Sequence, residues 1–362
     1  MNNSHKILIA TGGTGGHIFP AYSLAKYFIK KKFSVKIVTD KRGLKFLKVE
    51  KDMNIKTITS ATVFNKNFFL VIYSLFKIII AFVESLFLLI KIKPKIVFGM
   101  GGYSSFPTCL ASKVLNIPFF IYENNLCLGK TNKFLLPFAT KMLVSYDELE
   151  GVKEKYFHKL ISIGNIIRED ILNYRVNRNE LNKNNLSLLI LGGSQAAKSF
   201  AQLLPNIFLE CKKNSMNLEI FQQCQKSQIE DLKQKYNAMG IKNEIFNFSH
   251  DLKQYFSKID LTITRSGSSM LSEFLNCNVP IIAIPLPNSA DNHQLKNAKY
   301  FEKKGYGYLV EEHQISEKLF SLIKLIYKDR KLLSQIKSNQ MKHSDKNVFE
   351  KIYKEIEKFL YA

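Results

Sequence analysis

The stretch "KILIATGGTGGHIFPAYSLAKYF", Lys6 to Phe28, carries the first architectural signal in this 362-residue chain. An apolar run, Ile7–Ala10, leads straight into Thr11-Gly12-Gly13-Thr14-Gly15-Gly16-His17, and an amphipathic stretch follows. Strand, glycine turn and helix in that order open a parallel α/β sheet. Glycines permit positive φ and let backbone N–H groups come close to a ligand. A helix N-terminus adds unpaired N–H groups and a partial positive charge. The turn therefore suits a phosphate, a carboxylate or a polar sugar. Both common phosphate fingerprints fail here. GxxxxGK[ST] lacks its lysine, and GxGxxG read from Gly13 ends on Ile18. His17, at the helix start, reads either as a structural cap or as a neutral imidazole facing the ligand.

The same rhythm continues along the chain. Further strands are expected at Val35–Thr39, Ile96–Gly99, Phe119–Tyr122 and Met142–Val144, then at Leu186–Leu191, Leu218–Gln222, Ile245–Phe248, Leu261–Thr264 and Ile281–Ile284. Continuous apolar strands separated by helices predict parallel sheets covered on both faces. Two such series in a chain too long for one ordinary core predict two doubly wound α/β domains. A polar, Asn-rich stretch at 173–185 separates them, and each half begins with its own glycine turn. The expected division is 1–163, 164–340 and a terminal helix at 341–362, with Val348, Ile352, Ile356 and Leu360 at helical spacing.

Lysine and arginine total 53 against 30 acidic residues, for a net charge of +23. Only six are arginines, and Lys, Asn and Ile are abundant throughout, so much of the charge fits compositional bias; an anionic partner stays open. Arg168 and Arg265 fall inside motifs and are more informative, because arginine suits bidentate anion contacts. Five scattered cysteines without a CxxC pair argue for a reducing compartment. No apolar run precedes the first strand, so no signal peptide is expected. The run Phe68 to Lys93 is long enough to suggest a transmembrane helix. Lys77 and Glu84 interrupt it and share one helical face with Ser74, Ala81 and Ser85 nearby. It reads as a sheet-covering helix or as one that also dips into an anionic membrane surface; a spanning helix would cut the first sheet in two.

Other turns repeat the opening device. "VFGMGGYSSFP", Val97 to Pro107, is a second glycine turn, and Glu123 and Asn125 fall just past a strand's carboxyl end, where open sheets bind ligands. In the second half, "LGGSQAAKSF" places Ser194 at a turn. "TRSGSSMLSEFL" puts Ser266 to Ser269 at a helix start, an anion cradle, with Glu273 one turn inside and able to take ribose hydroxyls. Asn292, His293 and Gln294 suit sugar hydroxyls. No HExxH, Cys/His ligand spacing or Asp-x-Asp pair appears, so no metal site is expected. A dinucleotide-dependent oxidoreductase and a non-catalytic sugar-nucleotide-binding subunit are the rival classes.

"GGTGGHIFPAYSLA", "FGMGGYSSFP", "ENNLCLGKTNKFL", "GNIIRED", "GGSQAAKS", "RSGSSMLSE" and "DNHQLKNA" stand in the order that the MurG family shows, and over nearly the whole chain the sequence resembles it. These are the undecaprenyldiphospho-muramoylpentapeptide β-N-acetylglucosaminyltransferases of glycosyltransferase family 28. The resemblance implies a GT-B fold, two Rossmann-like domains with a cleft between them. It implies inverting transfer of N-acetylglucosamine from UDP-N-acetylglucosamine to a lipid-linked muramoyl-pentapeptide acceptor, lipid I to lipid II, in peptidoglycan synthesis, with no metal or cofactor. The implied location is peripheral, on the cytoplasmic side of the bacterial inner membrane. Cell-wall synthesis or division proteins are further partners, and nucleic acid is not. Carried over by motif, Thr14, Gly15 and Gly16 contact the donor side of the cleft, with His17 near the reacting centre. Asn125, Arg168 and Ser194 belong to the donor site, and the backbone near Ser249 reads uracil. Ser268, Ser269, Met270, Leu271, Ser272 and Glu273 hold the diphosphate and ribose, and Gln294 the sugar. The general base is His17 or Glu123. This chain departs from the family at Tyr122 and Asn124, where His and Gln are usual, at Ala196, where Gly is usual, and at His293, where Gln is usual.

Overall fold

The computed structural model describes residues 5–13, 15–47, 53–60, 68–174, 185–249 and 251–360. The chain divides into two compact units, Met1–Glu169 together with Asp345–Ala362, and Asp170–Ser344. Where the sequence suggested a break at Gly164 and a separate tail from 341, the first unit runs on to Glu169 and takes back the last helix.

The first unit holds a seven-stranded sheet: β1 (Lys6–Ala10), β2 (Ser34–Thr39), β3 (Asn54–Thr57), β4 (Ile96–Gly99), β5 (Phe119–Glu123), β6 (Lys141–Val144) and β7 (Leu160–Ser162). Their order is β3-β2-β1-β4-β5-β6-β7, and every pair is parallel. The second unit holds β8 (Leu186–Leu191), β9 (Leu218–Gln223), β10 (Lys242–Phe246), β11 (Leu261–Thr264), β12 (Ile281–Ala283) and β13 (Gly307–Leu309), in the order β10-β9-β8-β11-β12-β13, again all parallel. Both sheets are the doubly wound α/β type that the apolar runs predict. The inner strands β4, β5, β8 and β11 are buried at every position, which is why they read as unbroken apolar runs.

Both sheets reverse their winding at one place, between β1 and β4 in the first and between β8 and β11 in the second. Open sheets bind ligands beyond the strand carboxyl ends at such a point. The sequence puts its glycine and serine turns after these four strands.

The helix Phe68–Ile92 is apolar on two faces, one against the core and one outward. Its inward face buries Ala81, Ser85 and Leu89 and packs Phe82, Leu86, Leu88 and Ile92 against the core, and Ser85 Oγ lies 3.2 Å from Thr108 Oγ1 of the neighbouring helix Ser105–Val114. Ile72, Phe76, Ile79, Val83, Phe87 and Ile90, at steps of three and four, form an outward apolar stripe, with Phe87 70% exposed. The exposed Glu84 carboxylate accepts from the Thr59 N–H and the Thr59 hydroxyl. No helix among the described residues is long and apolar enough to cross a membrane.

The last helix, Val348–Leu360, buries Val348, Phe349, Ile352, Ile356 and Leu360, as its spacing predicts. It packs on the first unit: Phe349 stacks on Tyr27 at 5.0 Å, Phe359 meets Phe120 edge-on at 5.5 Å, and Glu350 accepts the Tyr27 hydroxyl at 2.9 Å.

Candidate active site

In the first unit the turns after β1, β4 and β5 interlock. Gly13 has φ +84, which a side chain rarely adopts, and its N–H points at Asp40 Oδ1. Gly101 and Gly102 also have positive φ. A Cβ on Gly101 would strike the His17 ring at Nδ1, 2.5 Å away, and one on Gly102 would strike the Gly12 backbone. Ser104, fully buried, donates from Oγ to Thr11 O at 2.8 Å. Asn124 Nδ2 donates to Gly16 O at 3.0 Å, so the third turn holds the start of the helix Gly15–Lys30. His17 is half-buried, its ring against Gly101 and its carbonyl accepting Thr11 Oγ1 at 3.0 Å. The glycines thus serve backbone-to-backbone packing that brings the imidazole to the switch point. Gly15 and Gly16 open the helix as expected, and Thr14 lies outside the described residues.

Glu123 is only 3% exposed, and both its oxygens are committed. Oε1 accepts the Asn125 N–H and Nδ2, each at 3.2 Å; Oε2 accepts the Gly129 N–H and Asn132 Nδ2, each at 2.9 Å. Burial pushes its pKa up, and these donors pull against that shift. The carboxylate therefore ties the loop after β5 together and orients Asn125, whose amide also donates to Asn124 Oδ1.

Asp40, one residue past β2, escaped the sequence reading. It is 3% exposed and gathers the Gly43 N–H at 2.8 Å, Ser60 Oγ at 3.0 Å, Arg42 Nη2 at 3.0 Å and, more loosely, the Gly13 N–H at 3.4 Å. Burial alone would raise its pKa, but the Gly43 N–H, Arg42, Ser60 and Gly13 outweigh it and hold the carboxyl below its ordinary value. The signal was available in principle: Asp40 stands at a strand's carboxyl end, as Glu123 does.

In the second unit the helix Ser268–Asn276 starts directly after the turn that follows β11. Its first i→i−4 bond is Leu271 N–H to Gly267 O, so the N–H groups of Ser268, Ser269 and Met270 precede the helical ladder. Ser266 Oγ is fully buried with no hydrogen-bond partner among the described residues, an orphan donor beneath this helix start. Leu271 and Ser272 face the core, and Ser272 Oγ donates back to Ser268 O, so their side chains support the helix rather than face a ligand. Glu273 is 8% exposed.

Arg265, suited to a phosphate or a carboxylate, spends its charge on a carboxylate of the same unit. Its guanidinium is buried over the Phe200 ring at 4.4 Å, pairs with Glu312, donates to Ser199 Oγ at 2.7 Å and reaches Pro285 O at 3.0 Å. It bolts the ends of β11 and β12 to the helix Gly193–Lys213. Asn297, fully buried on the helix His293–Lys303, holds the same turn by donating to Ser266 O at 3.1 Å.

Gln294 Oε1 accepts the Leu286 N–H at 2.9 Å, which leaves the amide nitrogen as its donor. His293 Nδ1 lies 2.8 Å from Ala290 O; because a carbonyl only accepts, Nδ1 carries the proton. Ser249, on the loop after β10, donates from Oγ to Asp251 O, and the neighbouring Phe248 is 59% exposed. Ser194 lies in the first turn of the helix Gly193–Lys213, its side chain outside the described set. Arg168 is half-buried, six residues past β7 in the first unit.

Comparison with known proteins covers both units. Residues 7–144 match the glycosyltransferase family 28 N-terminal domain and residues 187–355 the glycosyltransferase family 28 C-terminal domain. A Pelagibacter ubique protein is 36% identical over 339 residues, 93% of each chain. One from Francisella philomiragia is 32% identical over 369 residues, 99% of each chain. Both are named UDP-N-acetylglucosamine–N-acetylmuramyl-(pentapeptide) pyrophosphoryl-undecaprenol N-acetylglucosamine transferase. Among solved structures, Acinetobacter baumannii MurG superposes with a TM-score of 0.78 at 24% identity, covering 98% of this chain and 99% of that one. A Staphylococcus aureus MnaA–UDP co-structure gives 0.66 at 15% identity, covering 99% and 97%.

Proposed function

The chain belongs to glycosyltransferase family 28, and from that premise we propose that it transfers N-acetylglucosamine, with inversion, from UDP-N-acetylglucosamine to undecaprenyl-pyrophosphoryl-N-acetylmuramoyl-pentapeptide. The observation that carries this reading is the end-to-end match: relatives aligned over nearly the whole chain bear this one activity in their names. The first unit takes the acceptor and the second the nucleotide sugar.

Transfer with inversion is one in-line displacement. The acceptor hydroxyl attacks the anomeric carbon, a base takes its proton, and UDP leaves with the glycosidic electron pair. The leaving diphosphate needs fixed positive potential, which the start of the helix Ser268–Asn276 supplies through the N–H groups of Ser268 to Met270. The unpartnered Ser266 hydroxyl adds a donor there. Glu273 takes the ribose, the loop at Ser249 the uracil, Gln294 the sugar through its amide nitrogen, and Asn125, Arg168 and Ser194 complete the donor contacts. His17 is the base, and Thr14, Gly15 and Gly16 close over the sugar. With both carboxylate oxygens committed to its own loop, Glu123 supports Asn125 rather than moving a proton.

The acceptor is a lipid, and the outward stripe of the helix Phe68–Ile92 gives the protein a way to meet it. Lys91, Lys93 and Lys95 follow the stripe and suit anionic headgroups. The protein docks peripherally on the cytoplasmic face of the membrane through this surface. The decisive experiment incubates purified protein with labelled UDP-N-acetylglucosamine and the lipid-linked acceptor in detergent. Labelled disaccharide-lipid is the expected product; its absence in every detergent, with donor binding intact, would reduce the protein to a binding subunit.

A further inference from the structure

We propose that Tyr122 and Asp345 are positioning residues that fix the segment Gly164–Arg168, and with it the Arg168 guanidinium, for the donor. This rests on the reading of Arg168 as a donor contact. Gly164 has φ +93, and a side chain there would run into the Asp345 carboxylate. The next residue, Asn165, donates its N–H to Asp345 Oδ1 at 3.0 Å. The one after, Ile166, donates its N–H to the Tyr122 hydroxyl at 3.0 Å, and that hydroxyl shares a 2.8 Å hydrogen bond with Ser145 Oγ. Two successive N–H groups are therefore held by side chains from two remote parts of the chain, next to a glycine that has no room for a side chain.

All the groups involved are buried: Tyr122 is 3% exposed, Asp345 2%, Ser145 7% and Ile166 1%. The segment then surfaces at Arg168, and the first unit gives way to the second after Glu169. Asp345 is the residue at which the chain returns. Burial, with the nearby Asp345 charge, pushes the Tyr122 phenol far up, so it stays protonated and can accept from Ile166 while donating to Ser145. The residue after it, Glu123, orients Asn125, so one strand end aligns two donor contacts.

A purely structural anchor would move the unfolding midpoint and leave donor kinetics alone. The test compares full-length Tyr122→Phe, Asp345→Asn and Arg168→Ala with the parent in thermal unfolding and in steady-state kinetics on UDP-N-acetylglucosamine. Tyr122→Phe and Asp345→Asn should each raise the donor KM about tenfold while kcat changes less than about threefold, the pattern of lost ground-state binding. The double variant should fall well short of the product of the singles, because both anchors act on one segment. An unchanged donor KM in both single variants, with Arg168→Ala raising it, overturns the positioning role. An unchanged KM in Arg168→Ala overturns the donor reading of Arg168 instead. If Tyr122→Phe fails to fold, Asp345→Asn, which replaces the charged acceptor of the Asn165 N–H with a weaker neutral one, decides alone.

Discussion

His17 and Asp40 bound the same glycine turn and divide its work. The imidazole faces the switch point against Gly101, while the carboxylate braces the turn from below. If His17 is the base, His17→Ala removes a group that acts only in the transition state, so kcat should fall about 10²–10⁴-fold with donor affinity kept. Stopped-assay kinetics with donor binding by calorimetry check this, and a near-parental kcat strips His17 of the role. Asp40 should matter for stability. Its folded pKa is depressed, so its contribution is fully present above the unfolded carboxylate pKa and is lost as pH falls through the folded one. Asp40→Asn turns an acceptor into an amide facing donors and should cost about 2–3 kcal/mol at pH 7. Urea unfolding at pH 7 and pH 3 should show the gap closing on the acid side; a gap that is constant with pH would assign it to packing alone. The turn's glycines were legible because they sit together in sequence. Their partners were not: Gly12 meets Ser104 and Gly101 meets His17 only once β1 and β4 pair, and no local pattern announces that.

At the scale of elements, what the sequence predicts follows burial. Strands buried on both faces, such as β5 and β8, read plainly as apolar runs. The edge strands β3, β7 and β13 were missed because they are short and partly exposed; β3 is "NIKT", with no position fully buried. β10 lies at Lys242–Phe246 rather than at the expected Ile245–Phe248, because Phe248 is an exposed loop aromatic, not a core residue. The helix Phe68–Ile92 shows both faces that its sequence allows. Its polar stripe divides, with Ser85 packed inward and the exposed Glu84 accepting from Thr59; Leu89 is buried, while Phe76 and Phe87 look out. Phe76 and Phe87, 59% and 70% exposed, contribute little to folding, so Phe76→Ser with Phe87→Ser should shift stability by no more than about 1 kcal/mol. A phenylalanine entering lipid is worth about 1.5–3 kcal/mol, so the same pair should weaken binding to anionic vesicles by about 10²–10⁴-fold. Vesicle co-sedimentation across a salt series reads both the apolar and the lysine contributions. Unaltered binding would make the stripe irrelevant to membranes.

For the whole molecule, the final helix tests how the chain is partitioned. The sequence foretold the helix from its spacing but not its owner. That depends on aromatic contacts with Tyr27, Phe33 and Phe120, each more than two hundred residues away in sequence. Five side chains go into the core, Val348, Phe349, Ile352, Ile356 and Leu360. At about 2 kcal/mol each the burial is worth about 10 kcal/mol, an upper figure because the unfolded chain already hides some surface. That is comparable with the entire stability of an ordinary domain. A chain ending after Lys346 keeps the Asp345 anchor and loses only this helix. Calorimetry should then show the first unit's transition abolished or moved far down, while the second unit's persists. UDP should still raise the surviving transition, since a ligand at a hundred times its Kd adds about 2.7 kcal/mol to the unit that binds it. Transfer activity should vanish although nucleotide binding remains. If the truncation instead lowers both transitions together, or the UDP-dependent shift disappears with the helix, the units do not fold as separate cooperative blocks, and the helix serves the second as much as the first.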